Sequence, residues 1–137
     1  MRALRIALLL VTAAALVVNA VIHLQLAGPF DAIAGTLVSQ GTLFRIQAGA
    51  NIVVAALLFT RTRWAAVLAA VVAAGGLVLV VTTTLVPLDL TAIGLPFLFE
   101  PVWYADKIVS TIAQAVALVT ALAAALIRRR PAEPVQP

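Results

Sequence analysis

The chain has 137 residues, of which 64% are hydrophobic and 10% charged, with a formal net charge of +4. A soluble domain carries about 25% charged residues, so this composition leaves no room for a soluble domain beside the apolar segments, and the basic residues lie at segment ends rather than in the stripe a nucleic-acid surface needs. No cysteine occurs, which excludes disulfides, thiol redox chemistry and a cysteine nucleophile.

Four apolar runs follow in chain order, at about residues 4–26, 43–60, 64–88 and 105–127. Each approaches the roughly 20 residues that cross a 30 Å hydrocarbon layer as a helix. Arg2 and Arg5 ahead of the first run, with Val18-Asn19-Ala20 behind it, have the outline of a secretory signal. The run continues to Leu26, too long for a signal core, and reads as a retained first span. Gly28-Pro29 ends it, and a connection of mixed polarity follows, carrying Phe30, Ile33, Leu37 and Val38. After the second span, Thr60-Arg61-Thr62-Arg63 is so short that spans 2 and 3 are expected to be antiparallel neighbours. Pro87 ends the third span. The connection after it holds Ile93, Leu95, Phe97 and Phe99 and closes on Trp103 and Tyr104, an aromatic pair of interfacial type. Both connections are expected to form short helices or turns in the headgroup layer, as anchors or as a lid over a cavity. Arg128, Arg129 and Arg130 follow the fourth span as headgroup anchors, and residues 131–137, with three prolines, read as a disordered cytoplasmic tail.

The predicted fold is thus an all-α integral membrane protein: residues 1–130 form one antiparallel four-helix transmembrane bundle with two interfacial outer segments. Seven of the nine basic residues fall on one side of it, while Asp31, Asp89, Glu100 and Asp106 fall on the other with Arg45 and Lys107. The positive-inside bias then places both termini in the cytoplasm, in the cell membrane, with the connections 29–42 and 89–104 outside. Runs such as Ala13-Ala14-Ala15 and Ala73-Ala74-Gly75-Gly76 suit close helix approach, and the glycine pair would permit a kink. A faint echo between halves, Ala32-Ile33 and Ala92-Ile93, is too short to establish duplication.

The functional signal lies in the placement of polar residues inside the spans. Asn19 and His23 are four apart and share a helix face, as do Gln47 and Asn51; Lys107, Ser110, Thr111 and Gln114 form one stripe. An amide facing lipid lacks partners, so these stripes are expected to turn inward and line an outward-facing polar pocket over a dry apolar floor. The candidate lining is Asn19, His23, Gln47, Asn51, Lys107, Ser110 and Gln114. The competing reading is that these side chains are hydrogen-bonding glue between helices. Arg45 is expected to pair with Asp31, Glu100 or Asp106, and Lys107 with one of the same acids, tying hairpin 1–2 to hairpin 3–4. His23 is the sole histidine and no His/Cys/Asp/Glu cluster has zinc spacing, so no haem, metal or other cofactor is expected.

Through His23-Leu24, Gly35-Thr36-Leu37 and Leu43-Phe44-Arg45-Ile46-Gln47-Ala48 the chain resembles small four-span membrane proteins of high-GC bacteria whose role is uncharacterised. Through its Gly/Ala-rich second span ending in Thr60-Arg61 it is loosely similar to the DoxX-like group. The resemblance implies four spans and carries over no catalytic residue; the absence of cysteine speaks against DoxX-like redox associations.

Three functions are weighed. The leading one is a non-enzymatic membrane protein, either an accessory subunit beside a membrane-protein partner or a binder of a lipid-like, amphipathic molecule. The second is an oligomeric transporter or channel component. The third is a membrane enzyme using His23 with Glu100 or Asp106 as acid and base.

Overall fold

The computed structural model describes residues 1–127; the expected tail and the Arg128–Arg130 anchor lie outside the described residues. Four α-helices account for most of the described residues: α1 (Arg2–Ala27), α2 (Gln40–Leu57), α3 (Arg63–Leu85) and α4 (Ala105–Leu126). All four are long and apolar enough to cross a membrane, α2 together with the 3-10 turn Leu58–Thr60 that extends it. Both termini of the described chain and the α2–α3 turn share one end of the bundle, here the terminal end. The two long connections share the other, the connection end.

Local chemistry sets the boundaries. The helix α2 begins three residues before the apolar run because Ser39 caps it, its hydroxyl accepting from the Thr42 amide at 3.0 Å. The helix α3 stops at Leu85 because Pro87 forces Val86 into extended backbone. Between α2 and α3, Arg61 takes a left-handed conformation, φ 56°, and Thr62 caps the next helix through the Ala65 amide.

The helix α1 packs along both α2 and α4, and α3 packs mainly on α4. The contact between α2 and α3 is much the lightest of the three between helices consecutive in the chain. They are joined as expected but held apart, because the buried alanines of α3 (Ala65, Ala66, Ala69, Ala70 and Ala73) share a core with those of α4 (Ala117, Ala121, Ala124 and Ala125). Small side chains let helices approach closely, and dispersion across the seam replaces the large side chains absent from it. Leu9, Leu16, Val54 and Leu58 complete this apolar core, which fills the half of the bundle nearer the terminal end.

The connections depart from the all-helical expectation. The first opens with a 3-10 turn, Pro29–Ala32, and closes with a lone bridge between Ala34 and Ser39. The second folds into a two-stranded antiparallel hairpin, β1 (Leu88–Asp89) with β2 (Phe97–Leu98), around a 3-10 turn at Thr91–Ile93. The two dock on each other: the Leu37 amide donates to the Gly94 carbonyl at 2.9 Å, and Gly35 lies against the Gly94–Leu95 backbone so closely that a Cβ there would stand 2.4 Å from it. Together they close the connection end.

Candidate functional site

The polar stripes meet inside the bundle. Asn19 on α1, Asn51 on α2, and Ser110 and Gln114 on α4 are all buried, and Asn19 and Asn51 have no exposed surface. The Ser110 hydroxyl donates to Asn19 Oδ1 at 2.6 Å and accepts from Gln114 Nε2 at 3.2 Å, a chain that stitches α1 to α4. Gln47 of α2 reaches the same region. Its Nε2 and the Oε1 of Gln114 lie 2.8 and 1.8 Å from the point where a Cβ on Gly76 of α3 would stand. The glycine of α3 therefore makes the room in which amides from α2 and α4 face one point. The helix α3 runs unbroken through Gly75-Gly76.

This cluster is polar beyond what it satisfies. Asn19 Nδ2, Gln47 Nε2, both polar atoms of the Asn51 amide and Gln114 Oε1 are buried and have no hydrogen-bond partner in the protein. A buried polar atom left unpaired costs about 1–3 kcal/mol, and most buried polar atoms in folded proteins are paired. Five in one neighbourhood exceed what helix glue requires, since glue is made of bonds that form. On its terminal side the cluster ends abruptly. There the core is apolar apart from Thr12, which donates to the Leu8 carbonyl and pairs with Thr120 at 2.7 Å, and Arg5 at the far end.

Two expected lining residues stand aside from it. His23 is half-buried; its Nδ1 lies 2.9 Å from the Asn19 carbonyl, and its ring meets Phe44 edge-on at 5.1 Å, with Phe30 packed beyond. Among the described residues no hydrogen bond or ion pair joins it to Glu100 or Asp106. Lys107 is buried, but it turns toward the connection end. Its ammonium donates to the Glu100 and Val102 carbonyls and sits 5.0 Å from the centre of the Trp103 ring. It holds the chain entering α4 through backbone carbonyls; the expected bond to a carboxylate is not formed. The Glu100 carboxylate instead accepts from the Tyr104 hydroxyl at 3.3 Å. Burial raises the Glu100 pKa against the opposing pull of Lys107 and Tyr104. Asp106 is exposed in the first turn of α4.

Arg45 does pair with Asp31, through two bonds of 2.7 and 2.8 Å. Both residues belong to hairpin 1–2, so this ion pair does not tie the hairpins together; the Asn19–Ser110 bond and the docked connections do that. The guanidinium of Arg45, with help from the Ser39 hydroxyl, holds the Asp31 carboxyl down at about 2.

Sequence reasoning missed Arg5. Read as a membrane-surface charge, it is buried, and its guanidinium donates to the Ala124 carbonyl at 3.2 Å and the Arg61 carbonyl at 2.9 Å. It thus engages the ends of two helices whose last carbonyls lack intrahelical partners. The signal was present in the three-residue step from Arg2 to Arg5, but one turn of helix separates a surface position from a buried one only once neighbours are placed. At this same end Ile6, Leu9, Leu10, Leu58, Phe59 and Arg61 line a groove of about 150 Å³ between α1 and the end of α2. Its walls are mostly apolar, and it lies across the dry core from the amides.

Comparison with protein-family models, curated proteins and solved structures finds no match to this chain. Among the described residues no group of three His, Cys, Asp or Glu is placed to hold a metal ion. What the cluster offers is neutral hydrogen-bonding capacity, donors and acceptors together, inside an apolar bundle.

Proposed function

We propose that this is a multi-pass protein of the cell membrane, with both termini in the cytoplasm, that binds a small amphipathic, lipid-like molecule at the amide cluster and does not act as an enzyme. The observation that carries this is the set of five unpartnered buried polar atoms on Asn19, Gln47, Asn51 and Gln114. In hydrocarbon there is no bulk water to satisfy such groups, so a bound polar head is the partner that this arrangement fits. The orientation is supported by charge: Arg2, Arg5, Arg61 and Arg63 gather at the terminal end, while Asp31, Asp89, Glu100 and Asp106 gather at the connection end. The site is a closed, capped version of the outward pocket that the stripes suggest. The resemblance to small four-span bacterial membrane proteins belongs to this proposal and adds only the expectation of four spans.

The test is extraction of the full chain in a mild neutral detergent, followed by mass spectrometry of what stays bound. A lipid or small amphiphile should accompany the wild type and be lost from Asn51→Leu combined with Gln114→Leu. Leucine has the branched shape of asparagine and is only slightly shorter than glutamine, so the double variant should remain folded. Retention of the molecule by the double variant, or a wild type carrying nothing, sinks the reading; a co-purifying membrane protein in place of a lipid would favour the accessory-subunit alternative. Transport through one chain is opposed by the apolar core below the amides, which offers no continuous polar lining.

A further inference from the structure

We infer that the amide cluster selects an uncharged head group, a single hydroxyl in size, and admits it sideways from the lipid between α2 and α3 at Gln47 and Gly76. This rests on the reading of the cluster as a ligand site and names the class of molecule that site would take.

The head group follows from the atoms that face one another. Around the point above Gly76 stand an unpartnered donor, Gln47 Nε2, and an unpartnered acceptor, Gln114 Oε1. A hydroxyl both gives and takes a hydrogen bond, so it satisfies the two at once. A carboxylate only accepts, and it would set its charge against the Gln114 oxygen. A quaternary ammonium can satisfy neither. Asn51, one helical turn along α2 from Gln47, adds a second unpartnered donor and acceptor to the same face.

Charge is excluded by what surrounds the cluster. Its members, Asn19, Gln47, Asn51, Ser110 and Gln114, are all neutral. The two cations nearest in sequence are committed elsewhere: Arg45 is exposed and bound to Asp31, and Lys107 is held by the Glu100 and Val102 carbonyls and the Trp103 ring. A charged head placed here would lose its hydration with no counter-ion to replace it.

The route follows from packing. The helices α1 and α4 close tightly on each other and on their second neighbours, whereas α2 and α3 touch least. Gln47 is the one partly exposed amide of the cluster; Asn19, Asn51 and Gln114 are at most 2% exposed. Opposite Gln47, α3 presents Gly76, with no side chain to bar the seam. The two connections dock on each other at the connection end, so the approach this packing favours is the lightly packed side.

Gly76→Ala is the informative variant. The nearest atoms its methyl would meet are the far ends of Gln47 and Gln114, which can swing away, and alanine is the better helix former. It should disturb the site and leave the fold intact. Gly75→Ala, whose Cβ would meet nothing within 4 Å, is the control. The full chain in a neutral detergent is titrated with palmityl alcohol, palmitate and cetyltrimethylammonium, read by thermal shift and native mass spectrometry. The alcohol should bind at least about tenfold more tightly than either ion, a factor worth about 1.4 kcal/mol. Gly76→Ala should weaken the alcohol by a similar factor without lowering the ligand-free unfolding temperature; Gly75→Ala should bind as wild type. Palmitate binding as well as the alcohol, with the same dependence on Gly76, overturns the uncharged head and leaves the ligand site standing. Alcohol binding that ignores Gly76→Ala but vanishes when Leu10→Trp fills the groove at the terminal end overturns the location. If none of the three binds, the selectivity and the ligand reading fall together.

Discussion

At the scale of single residues, the side chains divide by whether their polar atoms are used. Arg5 and Lys107 are long cations that bury their stems and spend their charge on backbone carbonyls, so Arg5, which reads from sequence as a surface charge, is found inside, and Lys107, which reads as pocket lining, is held at the connection end. The amides do the reverse: they are buried and keep atoms to spare. Asp31 shows the ordinary case of a satisfied pair in the exposed connection. Its carboxyl is held at about 2, below its usual 3.8, first by the hydrogen bonds from Arg45 and then by that from Ser39. The folded form therefore binds the proton less tightly than the unfolded chain. The contribution of the pair is complete above the usual carboxylate range and is lost as the pH falls through about 2. A carboxyl-carbon NMR titration should place the Asp31 midpoint near 2, and Arg45→Gln should return it toward 3.8. An unchanged midpoint in the variant would show that Arg45 is not the cause.

At the scale of elements, the connections matter more than their length suggests. Gly94 sits at φ +84°, a left-handed conformation that permits the tight turn after Thr91–Ile93, and its carbonyl receives the Leu37 amide. Gly35 completes the contact, since any side chain there would strike the Gly94 carbonyl and the Leu95 backbone at 2.4 to 2.6 Å. Backbone atoms cannot swing aside as a glutamine end can. Gly35→Ala should thus destabilise the folded protein by about 1–3 kcal/mol, the usual cost of overpacking. It should also speed hydrogen exchange at the Leu37 amide; wild-type exchange and stability in this variant would mean that the two connections do not hold each other. The contrast with Gly76 is physical: the same addition of a methyl group meets rigid backbone at one glycine and mobile side-chain ends at the other.

At the scale of the whole molecule, the proposed orientation sets Arg2, Arg5, Arg61 and Arg63 against the cytoplasmic face. The cysteine-free chain makes this directly testable. In intact cells a membrane-impermeant maleimide should label Thr36→Cys in the first connection and spare Thr60→Cys in the α2–α3 turn until the cells are opened. The inverse pattern would reverse the bundle and place the capped end in the cytoplasm.

The four helices were legible because their signal is a sum: some twenty apolar side chains in a row outweigh any single local preference. The inward turn of Asn19, Asn51, Ser110 and Gln114 was legible for a related reason, since helical spacing fixes which residues share a face and an amide gains nothing from facing alkane. The sequence by itself thus determined the number of long helices, their near-boundaries and which faces are polar. Only the tertiary structure decided which helices touch most, that a glycine of α3 stands where two glutamines converge, that Lys107 and His23 leave the cluster, and that Arg5 bridges two helix ends. Those outcomes depend on distances between residues far apart in the chain, set by close packing of alanine faces at ångström precision, and no period along one helix contains that information.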